Sequence, residues 1–296
     1  MLFVDACENS NQDIGSNIKL FADDSSLYII VDDPYTAAYT LNHDLEKIHT
    51  WAENWLVKFN PQKTEELLIS RKTKPPYHPP LKMNNVPITR VNTHKHLGLN
   101  LNSKCTWHEH IVDITSKAWK RIQILRCFKF QLDRRSLQNL YFSYIRPLLE
   151  YADVIWDNCF QYEKDEIEKV QIEAGRIVTG ATKSCSIQKI LEETKWDTLA
   201  FRRYKHRLIT FFKMTRKITP SYLYTLVPSY VEEISNRSSR SGSQLYIPHS
   251  KTNLYQNSFL PQTSSDWNSL TDDIKNSTSL TIFKHKINSN QSKVPK

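Results

Sequence analysis

Beyond Trp107 the apolar residues recur at steps of three and four almost without a break, and that periodicity commits the larger part of the chain to amphipathic helices. Ile111, Ile114, Ala118, Ile122 and Leu125 form one stripe. Leu137, Leu140, Tyr141, Tyr144 and Leu148 form a second, in which Pro147 predicts a kink because it lacks an N–H and crowds the preceding turn. Ile167, Val170, Ala174, Ile177 and Val178 form a third, with Gly180 placed to end it in a left-handed cap. Another helical region is expected from about Ser186 to Lys217, and a last short helix around Leu280–Ile287. Residues 235–258, rich in Ser and Asn, read as loops with a short strand at Leu245–Ile247.

The segment before Trp107 follows a different pattern. In Asn17 to Val31, Ile18, Leu20 and Ala22 alternate with polar neighbours, and Leu27 to Val31 is β-branched and aromatic. This predicts two strands meeting at a tight turn centred on Asp23-Asp24. Ala38, Leu41, Leu45, Ile48, Ala52 and Trp55 then mark a helix that Thr36 would cap and that Pro61 would stop near Phe59-Asn60. Glu65 to Ser70 reads as a strand, Lys72 to Pro80 as a Pro-rich loop, and Val86 to Leu101 as short strands broken at Gly98. Strands first and helices afterwards place the chain in the α+β class. Trp51, Trp55, Trp119 and Trp156 lie on or near the apolar stripes and are read as core.

Composition narrows the functional classes. Only five of the 296 residues are glycine, and neither GxGxxG nor GxxxxGK occurs, so a dinucleotide fold or P-loop has no support. Five dispersed cysteines without a CxxC indicate neither a disulfide framework nor a Cys-rich zinc site, and a reducing compartment is the default. The Cys105, His108, His110 group has metal-ligand residue types at a spacing that fits no common zinc pattern, and reads as a surface cluster. No apolar run reaches the ~20 residues of a membrane span, and the first residues do not read as a signal peptide. A formal charge of +9 points to a polyanionic partner, of which nucleic acid is the commonest. The densest basic run lies between Phe201 and Ile218. Arg202, Arg203, Lys205, Arg207, Lys213, Arg216 and Lys217 are candidates for binding phosphate there, with a solvated helix face as the plainer alternative. Lys117, Lys120, Arg121 and Arg126 make a smaller set on the first of the helices.

The residues best suited to chemistry are Phe21-Ala22-Asp23-Asp24. Side chains alternate along a strand, so only one of two adjacent carboxylates points fully into a given site, which suits a metal ligand beside a supporting acid. Mg²⁺ favours such oxygens together with phosphates and water. A bare Asp-Asp pair is more simply a polar turn, and Asp32-Asp33 is read that way.

The order of the segments changes this balance. FADD on its hairpin, the helix with Trp51 and Trp55, Phe59-Asn60-Pro61-Gln62-Lys63-Thr64-Glu65 and His94-Lys95-His96-Leu97-Gly98 resemble, in sequence order, the palm of the reverse transcriptases of non-LTR retrotransposons, jockey and related clades. His96 stands where that pattern usually has Tyr. The resemblance continues through Arg146-Pro147-Leu148-Leu149-Glu150-Tyr151, Val154-Ile155-Trp156, Glu168-Lys169-Val170-Gln171, Arg176 to Gly180, Trp267-Asn268-Ser269-Leu270 and Phe283-Lys284. It implies that Asp23 is a metal ligand with Asp24 beside it, that Lys63 protonates leaving pyrophosphate, and that Leu97, Gly98 and Leu99 form a primer-grip-like turn. It further implies Mg²⁺ as cofactor and an RNA template with a DNA primer as partners.

On this basis residues 1–104 are expected to form a partial palm, a small antiparallel sheet with one long helix. Residues 105–183 should form a helical thumb-like region, and 184–296 a mostly helical region. Met1 to Asp5 resembles the apolar stretch just before the metal box, so the fingers and the first carboxylate-bearing strand have no counterpart here. The expectation is a truncated RNA-directed DNA polymerase, inactive alone and missing an N-terminal polymerase portion as partner. The alternative is a non-catalytic module, derived from such an element, that binds nucleic acid or protein through its helices.

Overall fold

The computed structural model describes residues 15–235, 244–247 and 249–289, so the Met1 to Asp5 stretch and Cys7 lie outside the described residues. The chain divides into two compact units, residues 1–106 and 107–296.

In the first unit, β1 (Asn17–Phe21) and β2 (Asp24–Tyr28) form an antiparallel hairpin. α1 (Pro34–Asn54) follows. Its N-cap is Asp33, not Thr36: the Asp33 carboxylate accepts from the Thr36 backbone N–H at 2.7 Å and from its hydroxyl at 2.6 Å. Asp33 thus belongs to a helix start, with Pro34 at the first helical position, where no backbone donor is needed. α1 also ends sooner than Pro61 suggested. Leu56 turns left-handed (φ 56°), and the Val57 N–H bonds back to the Ala52 carbonyl at 2.9 Å, closing the helix before the proline has any influence.

The remaining strands are β3 (Glu65–Leu67), β4 (Lys82–Met83), β5 (Val86–Pro87), β6 (Thr89–Val91), β7 (Thr93–His96) and β8 (Leu99–Asn102). They do not build one antiparallel sheet. Together with the first hairpin they form four two-stranded pieces, and β3 pairs with β6 in parallel. Parallel pairing needs a long connection, which the Pro-rich stretch after Leu67 provides. Ala38 and Leu45 of α1 pack with Leu81 and Met83, joined by Leu27, Leu41, Phe59 and Ile88. Trp55, expected in the core, is 63% exposed because α1 closes beside it.

The second unit begins with α2 (His108–Cys127), whose stripe from Ile111 to Leu125 is buried as the spacing requires. α3 (Arg134–Leu140) runs through a π-helical turn (Tyr141–Ile145) into α4 (Arg146–Glu150). There the Arg146 N–H reaches back five residues to the Tyr141 carbonyl, just before Pro147. The wider turn makes room for the proline ring and shifts the helix phase. The buried residues are therefore Leu137, Tyr141, Ile145 and Leu149, while Tyr144 is 40% exposed.

α5 (Asp153–Trp156) is short and carries Trp156, which is fully buried. α6 (Gln161–Thr179) buries the third stripe and ends at Gly180 with φ 72°. α7 (Ile187–Thr194) and α8 (Leu199–Thr215) replace the single helical region expected between Ser186 and Lys217. Lys195 turns left-handed between them, and Thr198 caps α8 by accepting from the Phe201 N–H. Gly175 lets α7 approach α6 closely, since a Cβ there would meet Ile190 Cγ2 at 2.6 Å.

The remaining helices are α9 (Ser221–Tyr224), α10 (Val231–Ser235), α11 (Asn253–Gln256), α12 (Phe259–Asn268), α13 (Asp272–Lys275) and α14 (Leu280–Ser289). Leu208, Phe211 and Phe212 of α8 pack with Leu245, Trp267, Ile274 and Phe283. Leu245 makes a single antiparallel bridge to Tyr230, short of the strand expected there. The Asn268 side chain completes that bridge, donating to the Leu245 carbonyl at 3.0 Å and accepting from its N–H at 2.9 Å.

Candidate functional site

The carboxylate hairpin is built around a two-residue turn, Ala22-Asp23, one residue earlier than the spacing suggested, with Phe21 paired to Asp24. Asp23 therefore sits in the turn itself and Asp24 opens β2. Ala22 is left-handed (φ 52°), a conformation that favours glycine. Both carboxylates are exposed. What fixes the hairpin lies at its base. The buried Asp44 of α1 accepts from the Ser16 N–H at 2.8 Å, the Ser16 hydroxyl at 2.6 Å and the Gly15 N–H at 3.2 Å. These bonds hold the entry to β1 on the helix, while buried Ile18 and half-buried Leu27 anchor the strands. Nothing in the spacing singled out Asp44, because its partners at Gly15 and Ser16 lie far away in sequence.

The other two motifs lie on nearby elements of the same unit. Asn60 to Thr64 forms a tight helical turn: the Lys63 N–H bonds to the Asn60 carbonyl at 3.1 Å, as does the Thr64 hydroxyl at 3.0 Å. Lys63 is exposed on that turn, and among the described residues no ion pair joins it to Asp23 or Asp24. Leu97 and Gly98 form the two-residue turn between β7 and β8, with φ of 45° and 83°, and Leu99 is buried. Two successive left-handed residues are what a tight hairpin needs, so the backbone rises there with Gly98 exposed. His96, preceding that turn, brings Nε2 to within 3.5 Å of the Ser26 hydroxyl on β2. Phe59 and Leu27 share one apolar cluster. The three motifs are thus tied by β2, α1 and β7.

The donor chemistry of Asp23 and Asp24 fits a hard divalent cation. Among the described residues, no group of three or more His, Cys, Asp or Glu side chains gathers to hold a metal ion, so the hairpin offers at most two side-chain ligands of a set.

The basic run on α8 is not a solvated helix face. Arg203, Lys205 and Arg207 are 2%, 9% and 5% exposed. Arg203 Nε donates to Asp157 Oδ1 at 2.8 Å. Arg207 joins the same Asp157 and donates to Asp266 Oδ2 at 2.7 Å. Lys205 Nζ reaches Asp197 at 2.5 Å and Asn288 at 2.9 Å. Half-buried Arg202 forms a forked pair with Glu150, which raises the guanidinium pKa above its usual range. Burial pushes the other way on Arg203, lowering its pKa, and it raises the carboxyl pKa of Asp266 and Glu168.

Near the end of α8, Lys213 is half-buried, and Lys217 is exposed with its ammonium 5.8 Å from the Tyr224 ring centroid. Arg216 donates to the Lys275 and Ser277 carbonyls. Phe211 and Phe212 are fully buried, Phe212 stacked on Phe283 at 4.2 Å. The partner carboxylates Asp157 and Asp266 carried no sequence signal, since pairing across 46 and 59 residues leaves no local pattern.

The chain is 27% identical over 165 residues to a probable RNA-directed DNA polymerase from transposon BS of Drosophila melanogaster. It is 24% identical over 168 residues to the probable RNA-directed DNA polymerase from transposon X-element of the same fly. It is 25% identical over 167 residues to the RNA-directed DNA polymerase from mobile element jockey, also of Drosophila melanogaster. These matches cover 55–56% of this chain and 18% of each relative, so the shared stretch spans about a fifth of their length. No family model matches the chain. No solved structure matches it either. Over about half its length, the chain is similar to the RNA-directed DNA polymerases of non-LTR retrotransposons of the jockey kind, as its ordered motifs suggested.

Proposed function

We propose that this chain is a portion of an RNA-directed DNA polymerase, and that the β1–β2 hairpin contributes Asp23 and Asp24 to a divalent-metal site for nucleotidyl transfer. The observation that carries this reading is the presentation of two exposed carboxylates at a two-residue turn, in a chain similar to three transposon polymerases. The hairpin is held from behind by Asp44 and Leu27, which leaves both acids facing outward. A bound cation, of which Mg²⁺ is the family's choice, would screen charge on phosphates during an in-line displacement. Further ligands would come from outside the described residues. Lys63, on the exposed turn after Phe59, is the proton donor this reading assigns to the departing pyrophosphate. The Leu97-Gly98-Leu99 turn, where the backbone is accessible, would meet the primer strand. An RNA template and a DNA primer are the partners the reading implies.

The test is metal binding by the purified chain, followed by Mn²⁺ electron paramagnetic resonance. Weak binding that disappears in Asp23→Asn/Asp24→Asn, with the thermal melt unchanged, is the expected outcome. Equal Mn²⁺ uptake by chain and variant would remove the hairpin from consideration as a metal site.

A further inference from the structure

The turn between α2 and α3 carries more exposed apolar surface than a solvated loop accounts for. Phe130 at its tip is 91% exposed, and Phe128 and Leu132 on either side are 38% and 39% exposed. The same surface runs back along α2 through Ile124, 42% exposed. The segment that carries it is strongly basic. From Lys117 to Arg135 there are seven Lys and Arg residues and one acid, Asp133. That acid is committed to capping α3, where it accepts from the Ser136 N–H at 2.8 Å. Lys117, Arg126 and Arg134 pair with Asp113, Glu173 and Glu193. Lys120 and Lys129 form no ion pair among the described residues, and Arg135 is exposed. Lys129 Nζ lies 5.5 Å from the centroid of the Phe130 ring, and Arg121 covers Tyr144 at 4.1 Å.

Phe130 cannot be a core residue displaced by packing, since it lies beyond the end of α2 and is almost wholly in solvent. A flat ring standing free beside a cation, on a segment rich in further cations, is an arrangement suited to stacking an unpaired base while its phosphates are neutralised. A duplex hides its base faces and would find nothing to stack on this ring. A folded protein with an apolar patch would leave Lys120, Lys129 and Arg135 unmatched unless that patch were also acidic.

We propose that this turn and the adjoining face of α2 bind single-stranded nucleic acid, with a base stacked on Phe130 and phosphates on Lys120, Lys129 and Arg135. The site belongs to the second unit, whereas the carboxylate hairpin belongs to the first, and it needs no metal.

The experiment measures binding of the full chain to a fluorescent 20-nucleotide oligouridine in EDTA. An RNA–DNA duplex of the same length and a polyglutamate peptide serve as comparison probes. Oligouridine should bind more tightly than the duplex, and Phe130→Ala should weaken it by about tenfold. Lys120→Glu/Lys129→Glu should make the salt dependence shallower, by about 0.7 in log–log slope for each phosphate that is no longer neutralised. Because Phe130 is exposed, the Phe130→Ala melt should match the parent's. Asp23→Asn/Asp24→Asn should leave oligouridine binding unchanged, which separates this site from the metal reading. Oligouridine binding that is insensitive to Phe130→Ala would overturn the proposal. So would duplex bound as tightly as single strand, or polyglutamate bound in its place, the latter pointing to an acidic protein partner.

Discussion

Replacing Asp157 with Asn tests whether the cations of α8 are held inside the fold. Asp157 is 3% exposed and receives both Arg203 and Arg207, with Lys164 a further 3.4 Å away. Arg207 keeps a second carboxylate, Asp266, when Asp157 is neutralised, but Arg203 has no other ion pair among the described residues. One buried guanidinium is then left without its counter-charge. Breaking such a pair costs about 3–5 kcal/mol, since desolvation of the survivor is no longer offset. In a unit of 190 residues each kcal/mol moves the melting point by roughly 2–4 °C, so a fall of roughly 10 °C is expected. Thermal unfolding followed by tryptophan fluorescence suits the measurement, because Trp156 is buried with the Arg203 guanidinium 5.9 Å from its ring centroid. The double variant Arg203→Met/Asp157→Leu removes both charges and should recover most of the loss. A shift in Asp157→Asn worth less than about 1 kcal/mol, the range of exposed pairs, would refute the reasoning and return these residues to a solvated surface.

Two further outcomes are expected. Leu56→Gly should stabilise the first unit by about 1 kcal/mol in chemical denaturation, because the left-handed cap strains Leu56 and its side chain, 92% exposed, loses no packing; a destabilised variant would contradict the cap. Burial holds the His110 imidazole below its usual pKa, so the folded state takes up fewer protons than the unfolded chain as pH falls through the histidine range. Stability should therefore drop below about pH 6.5 relative to His110→Gln, and denaturation curves whose difference stays constant from pH 8 to pH 5 would contradict this.

Local geometry was legible where a single element sets it. The stripes of α2 and α6, the Gly180 cap and the β1–β2 pairing follow from spacing within one stretch of chain. The hairpin turn lies one residue earlier than its spacing suggests because Ala22 accepts a left-handed backbone that its side chain disfavours. The second stripe lies out of phase with its spacing because the π-helical turn at Tyr141–Ile145 cannot be read from a regular period. The split between α7 and α8 leaves no sequence signal for a similar reason, as Lys195 adopts a conformation that its residue type does not announce. The charge of Arg203 and Arg207 was visible, but its destination was not. Their carboxylates lie 46 and 59 residues away along the chain, and sequence shows residue types without showing who meets whom.

The pairing of Arg207 with Asp266 also bears on the order in which the molecule can be made. A ribosome releases α8 well before it releases Asp266, Trp267 and Phe283. Until then, the α8 face bearing Leu208, Phe211 and Phe212 lacks the partners that cover it in the finished fold. Asp157 and Asp197 have already emerged and can hold Arg203, Arg207 and Lys205, but Arg207 and Lys205 gain their second partners only with Asp266 and Asn288. The nascent chain thus passes through a stage in which this aromatic face is uncovered, open to chaperones and to self-association, until the helices carrying Trp267 and Phe283 pack on it.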